Sequence, residues 1–132
     1  MKKFPGFKKC MAMMNNRDPQ LQENGFHWLE PHAREHVYEL MEAFHKEEKH
    51  GLRCWLLELI GSAKSTAAFE LFAAQLRSDD ERLRYWAIRG LKNLNTKEAR
   101  TLLFEARSFS FGTPEQNLAF RDDLDRVLNN QN

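Results

Sequence analysis

Two histidines four residues apart are the side chains best placed for metal chemistry in this sequence. On a helix, His32 and His36 would share one face with Glu35 nearby, and such a pair can offer two ligands to a zinc ion. Two ligands do not make a zinc site, and the other three histidines offer no second pair at a matching spacing. We therefore interpret the histidines as surface residues or contacts between structural repeats, and we expect no bound metal.

The two thiols are the next candidates for chemistry. Cys54 falls on a largely apolar segment, where a small buried residue is the usual outcome, and the sequence places no His/Asp constellation to activate it as a nucleophile. A chain of this size can build its core without a disulfide, so Cys10 and Cys54 are expected to be reduced, as in the cytoplasm. We predict that the chain is not an enzyme and needs no cofactor.

The composition indicates a soluble globular domain. The 132 residues are 42% hydrophobic and 30% charged, with a net charge of +1, which suits one folding unit and excludes a disordered or membrane-embedded chain. Five basic residues, Lys2, Lys3, Lys8, Lys9 and Arg17, precede the first acid, so the rest of the chain is net negative. Scattered charges of this kind are usually a solvated surface, and Lys8 and Lys9 interrupt any signal-peptide core. The sequence therefore predicts a cytoplasmic protein with neither nucleic acid nor membrane as its partner.

An internal repeat organises the chain from residue 18 onward. The segment that begins at Leu52 aligns without a gap onto the segment that begins at Leu83, 31 residues later, and both contain Leu-Arg-x-Trp. The same shift aligns a second apolar block, 68–72, with 99–103, and a degenerate first copy precedes Leu52 by the same distance. Apolar residues recur within each copy at the 3.6-residue period, which predicts three repeats of two helices each.

The predicted fold is all-α, an α-solenoid forming a single domain over 1–132. Helix pairs are expected near 19–47, 50–77 and 81–107, so that 18–107 holds the repeats, 1–17 an N-terminal cap, and 108–132 a C-terminal cap with a frayed tail from 129. The expected helix-start signals are Asp18-Pro19, Ser78-x-x-Glu81, Asn95-x-x-Glu98 and Thr113-x-x-Gln116. The expected core comprises Leu52, Leu56, Leu59, Ile60, Leu71, Phe72, Leu83, Ala87, Leu91, Leu102 and Leu103.

Tandem helix pairs of this length, each opening with Leu-Arg and a first helix rich in small residues, resemble the short bacterial type of HEAT-like repeat. The resemblance covers 18–107 and implies an α-solenoid whose second helices line the inner face. It also implies that Arg53 and Arg84 occupy the family's recurrent arginine position, which commonly forms a ladder with acids near the repeat starts, here Asp79 and Asp80. The first repeat departs from the pattern, with Gln22 where arginine is expected.

Enzymes of the wider repeat class do not match these residues. The iron-dependent hydroxylases carry paired His-Glu dipeptides for a diiron site, and none occurs here. No bilin-binding feature supports a phycobilin lyase, and the alkylpurine glycosylases resemble larger, strongly basic arrays. The chain looks more similar to small free-standing HEAT-like proteins of bacteria, which include immunity proteins that neutralise a cognate toxin domain. A non-catalytic protein-binding module of that kind is the leading hypothesis, and an enzyme or lyase subunit or a passive assembly scaffold are the alternatives.

Two surfaces are candidates for the partner. Trp55 and Trp86 fall at equivalent positions on the flank of the first-helix stripe, where neighbouring repeats would bring their rings close together; they either pack between repeats or anchor a partner. Phe109 and Phe111, in the connector after the last repeat, carry the same ambiguity. The second surface is an acidic column of Glu35, Glu39 and Glu42 on the outer side of the second helices. Glu70 extends it onto the next repeat, and Phe104 adds an exposed aromatic. This surface is either a solvated face or a docking surface for a basic partner.

Overall fold

The computed structural model describes residues 3–129 as helices joined by short connections, with no strand in that range. The α-helices are α1 (Phe7–Met14), α2 (Pro19–Leu29), α3 (Val37–Lys46), α4 (His50–Ser62), α5 (Phe69–Leu76), α6 (Glu81–Leu94), α7 (Lys97–Glu105) and α8 (Pro114–Asn129). Short 3-10 segments occupy Glu30–His36, Thr66–Ala68 and Ala106–Ser108. No helix within 3–129 is both long and apolar enough to cross a lipid bilayer. The all-α prediction is confirmed.

Polar side chains fix where the helices begin. Asp80 starts α6 by accepting hydrogen bonds from the backbone N–H groups of Arg82 and Leu83, so the cap lies two residues after the expected Ser78. Thr96 caps α7 instead of its neighbour Asn95 by accepting from the N–H of Ala99. The Thr113–Gln116 pair forms the expected reciprocal capping box before α8, with bonds of 3.0 and 3.1 Å.

The core lies between α4 and α6, which pack directly against each other and against α3, α5 and α8. All of the expected core residues are buried except Leu102, which is half-buried. Gly61 and Gly90 lie where the two helices approach each other closely, because a Cβ built on Gly61 would lie 3.4 Å from the Cα of Gly90. A Cβ on Gly90 would lie 2.3 Å from the buried ring of Phe72. Glycine is therefore needed at position 90 for α5 and α6 to pack at this distance.

The expected arginine ladder is wrong, since both arginines contact carbonyl groups and aromatic rings. Arg53 donates to the carbonyl of Phe44 and places its guanidinium 4.1 Å above the Phe44 ring. Arg84, only 2% exposed, donates to the carbonyl of Ser78 at 2.8 Å and lies 4.2 Å above the ring of Phe111. Asp80 is occupied by the cap of α6, which removes it as an arginine partner.

The first and last described helices each pack on a neighbouring helix. Helix α1 packs on α2, and α8 packs on α6. In the connector before α8, the rings of Phe109 and Phe111 lie 6.3 and 5.0 Å from the ring of Phe120, so both aromatics pack against α8. The frayed tail expected beyond Asn129, like residues 1 and 2 of the N-terminal cap, lies outside the described residues.

Candidate binding groove

Trp55 and Trp86 occupy matching places on α4 and α6, each five residues after the first residue of its helix. Both rings are half-buried. The Trp55 ring packs on Phe26 of α2 at 5.2 Å, and the Trp86 ring makes an edge contact with Tyr85 at 5.1 Å. The expected ring-to-ring ladder is wrong, because no ring contact within 3–129 joins the two tryptophans. Each has a different aromatic neighbour, and both line one groove.

The tryptophan groove is a surface cavity of about 570 Å³ at the amino-terminal ends of α4 and α6. Its apolar wall is formed by Trp55 and Trp86, and Glu58 lies one turn after Trp55 on the same wall. Its edge is basic, with Arg17, Lys49 and Arg82 contributed by three separate segments. An aromatic wall beside charged groups is a common composition for a binding site on a protein surface.

The three basic residues are positioned by the starts of helices. Arg17 lies in the turn that leads into α2, Lys49 precedes the first residue of α4, and Arg82 lies in the first turn of α6. Lys49 donates a 2.9 Å hydrogen bond to the side-chain oxygen of Asn15, which ties the turn after α1 to α4. All three side chains are exposed, and none takes part in an ion pair within 3–129.

Cys54 has a His/Asp neighbourhood that the sequence analysis did not foresee. Its Sγ lies 3.7 Å from Nε2 of His50, and the same Nε2 lies 2.6 Å from the carboxylate of Asp80. A His/Asp pair therefore lies beside this thiol, although nothing in the sequence pattern brings the two residues together. Asp80 immediately precedes α6, and only the packing of α4 against α6 brings it to His50.

The arrangement does not activate the thiol. Since the Nε2–H of His50 donates to Asp80, that nitrogen has no lone pair with which to accept the thiol proton. Burial, followed by the nearby negative charge of Asp80, raises the pKa of Cys54, and Arg82 and Arg53 only partly offset this. The thiol is therefore protonated at neutral pH. Within 3–129, no cluster of His, Cys, Asp and Glu side chains is arranged to hold a metal ion.

Glu58 is the acidic residue of the groove. Burial and the neighbouring Glu30 raise the pKa of its carboxyl group, and Arg89 and His27 act in the opposite direction. A small polar cleft of about 100 Å³ continues from the groove past Glu58 and Trp86 towards Glu30 and Arg89. The groove thus has a basic end, an aromatic middle and a second end that contains carboxylates.

The acids of the second surface are exposed, as expected, and the three of the column each have a basic neighbour nearby in the sequence. Glu35 lies 3.5 Å from His32, Glu39 lies 2.6 Å from His36, and Glu42 lies 3.3 Å from Lys46. His32 and His36 also support the N-terminal cap, because their rings stack on Phe4 and Phe7 at 3.9 and 5.2 Å. These local contacts weaken the column as a source of negative potential.

The remaining predicted residues lie elsewhere. Glu70 is exposed on the first turn of α5. Phe104 is 72% exposed on α7, so α8 does not cover it. It lines a surface depression with Arg77, Arg107 and Glu105, and Arg77 stacks on Phe109 at 3.7 Å. The combination of an acidic patch with Phe104 as an aromatic anchor stays a prediction.

The sequence analysis missed most of the polar residues of the tryptophan groove. Arg17 was noticed only as part of a basic terminus, and Lys49, Arg82 and Glu58 were not singled out. One signal could have found two of them: Lys49 and Arg82 flank the starts of the two helices that carry the paired tryptophans. Comparisons with protein-family models, with curated proteins and with solved structures find no match to this chain.

Proposed function

We propose that this chain is a non-catalytic protein-binding module built as a short α-solenoid of three HEAT-like helical hairpins, with residues 1–17 and 108–132 as caps. The helix starts support the repeat, because α4 begins at His50 and α6 begins one repeat length later, at Glu81. The placement of Leu52 and Leu83 supports it too, since both are buried one turn into their helices.

The observation that carries the proposal is the pair of half-exposed tryptophans in one groove. Tryptophan and arginine are enriched among the few residues that dominate binding energy at protein interfaces. Trp55 and Trp86 line this groove, and Arg17, Lys49 and Arg82 lie at its edge. A surface of this kind serves recognition, and the protonated thiol of Cys54 beside it supports a role without catalysis.

The particular role that we propose is immunity, in which the chain binds a cognate bacterial toxin domain in the cytoplasm and neutralises it. A small single-domain protein with one aromatic groove suits a tight complex of one copy with one partner. The two cysteines support a reducing compartment, because both are buried and unpaired.

The test is co-expression with the product of the adjacent gene in a bacterial host. We expect a one-to-one complex and restored growth when that product is toxic. The double substitution of Trp55 and Trp86 by alanine should abolish the complex and the restored growth. Tyr38→Ala, at a side chain that is 73% exposed outside the groove, should leave the complex and the growth intact.

Two other results would contradict the proposal. Rescue that survives loss of both tryptophans, but fails when Glu35, Glu39 and Glu42 are reversed to lysine, would move the binding site to the acidic column. A complex that forms without any effect on growth would favour the scaffold alternative.

A further inference from the structure

We propose that the tryptophan groove receives an acidic peptide segment of the partner protein, with carboxylates at its basic edge and an apolar side chain against Trp55 and Trp86. This inference rests on the proposed function, because it names the chemistry of what the same groove binds. It differs from the basic partner that the acidic column suggests.

The charges of the groove favour an anionic occupant. Arg17, Lys49 and Arg82 carry three positive charges at one edge, and among residues 3–129 the one carboxylate that lines the groove is that of Glu58. The Asp80 carboxylate contacts the imidazole of His50, so this acid already has a basic neighbour at the groove edge. The basic edge therefore has an excess of positive charge, although the chain from residue 18 onward is net negative.

The charges of these cations are not neutralised by an acidic partner, which distinguishes them from the acids of the column. No ion pair within 3–129 includes Arg17, Lys49 or Arg82, whereas Glu35, Glu39 and Glu42 each have a basic neighbour within 3.5 Å. Exposed charges that are not in an ion pair act over a distance of about 10 Å at moderate salt and speed the encounter with an oppositely charged partner.

The aromatic middle of the groove favours a peptide with an apolar residue. The faces of Trp55 and Trp86 that are not packed on Phe26 and Tyr85 border a space of about 570 Å³. Pockets of roughly 300–1,000 Å³ accommodate ligands of the size of a few residues. One apolar side chain can therefore lie between the tryptophans while neighbouring carboxylates reach the arginines.

Glu58 makes a peptide a better occupant than a single-stranded nucleic acid. A nucleic acid stacked on both tryptophans would carry phosphates past Glu58 and towards Glu30 in the adjoining cleft, where these two carboxylates outnumber the one arginine, Arg89. Proteins that bind single strands track the phosphates with positive charge along the whole groove. Here Arg17, Lys49 and Arg82 gather at one end, which suits a short acidic segment.

Selection from a library of random peptides on the intact protein tests the inference. The probes carried forward are the enriched peptides, labelled with a fluorophore, and an oligothymidylate of similar length. Their binding is measured to the parent, to the groove variant Arg17→Glu/Lys49→Glu/Arg82→Glu, and to a control variant with the same change in net charge, Lys8→Glu/Lys9→Glu/Lys97→Glu. The control residues are exposed and lie outside the groove.

We expect acidic peptides with a bulky apolar residue to be enriched, and their affinity to fall at least about tenfold in the groove variant but not in the control. Raising the salt concentration should weaken binding to the parent, a measurement that does not depend on the groove variant being folded. Enrichment of basic or neutral peptides, no enrichment, equal binding by the groove variant, or an oligothymidylate that displaces the peptide would each overturn the inference.

The inference and the proposed function can fail separately. If the toxin-type complex is broken by loss of Trp55 and Trp86 but not by reversal of the three basic residues, the binding module stands and the acidic segment is wrong. If selected acidic peptides bind the groove but no product of an adjacent gene does, the acidic recognition stands and the immunity role is wrong.

Discussion

The contact between Gly90 and Phe72 yields a prediction whose sign opposes ordinary helix propensity. Replacing a glycine inside a helix by alanine usually stabilises a protein by up to about 1 kcal/mol. At Gly90 the added Cβ would lie 2.3 and 2.4 Å from two ring carbons of Phe72, where ordinary contacts are 3.4–4 Å. The Phe72 ring is fully buried and cannot swing into solvent.

The magnitude follows from the two opposing effects. Forcing an extra carbon into a packed core costs about 1–3 kcal/mol, and an overlap of more than 1 Å belongs in the upper part of that range. After subtracting the gain in propensity, we expect Gly90→Ala to lower the free energy of unfolding by about 1–2 kcal/mol, with a fall in Tm of roughly 3–8 °C. Thermal and urea unfolding, followed by circular dichroism, measure both quantities.

Gly51 supplies the matched control. It also lies in a helix, in the first turn of α4, but a Cβ there would meet no atom within 4 Å. Gly51→Ala should therefore leave stability unchanged or raise it by about 0.5 kcal/mol. Combining Gly90→Ala with Phe72→Leu should cost less than the sum of the two single changes, because the smaller side chain relieves the overlap. Equal stability of Gly90→Ala and the parent would refute the packing of α5 against α6 described here.

Two further predictions concern the core and the cap of α6. Leu91→Ala should lower the free energy of unfolding by about 2–5 kcal/mol, because Leu91 is fully buried. Leu118→Ala, at a side chain that is 60% exposed, should change it by less than about 0.5 kcal/mol. Equal unfolding midpoints for Leu91→Ala and the parent would contradict the assigned helix register. Partial burial raises the pKa of Asp80, but hydrogen bonds from His50 and from backbone N–H groups outweigh it and leave the pKa below its ordinary value. The ionised carboxylate therefore contributes stability above the unfolded-state pKa of about 3.9, and this contribution is lost as the pH falls through the lower folded-state pKa. Asp80→Asn keeps a capping side chain but removes the charge, so it should be less stable than the parent at pH 7, with the difference narrowing in acid; a difference that is constant with pH would contradict the role of the charge.

The sequence could predict the helices and the core because both depend on periodic residue types. The 31-residue shift placed Leu52 and Leu83 at equivalent buried positions, and the 3.6-residue period identified the inward faces of the helix pairs. Leu102 is the exception in the expected core, since it lies only partly buried on α7. Local propensity and hydrophobic pattern agree along this chain, which makes such predictions reliable.

The groove could not be predicted in the same way because its polar residues come from segments that are distant in the sequence. Arg17 and Lys49 belong to two different connections and Arg82 to the first turn of α6, and their proximity depends on how α1, α4 and α6 pack. Asp80 reaches His50 only across the contact between α4 and α6. By contrast, the pairing of Glu35 and Glu39 with histidines three residues earlier could have been predicted from spacing alone.

The tryptophan indole resonances of the parent protein test the central claim most directly. The chain has three tryptophans, and Trp28 lies apart from the groove beside Asn24 and His27, so it serves as an internal control. In a titration of isotope-labelled protein with its bound partner, followed by NMR and assigned with single Trp→Phe variants, the indole N–H signals of Trp55 and Trp86 should shift while that of Trp28 stays in place. A partner that binds without moving the signals of Trp55 and Trp86, or that moves only the signal of Trp28, would contradict the groove as the binding site.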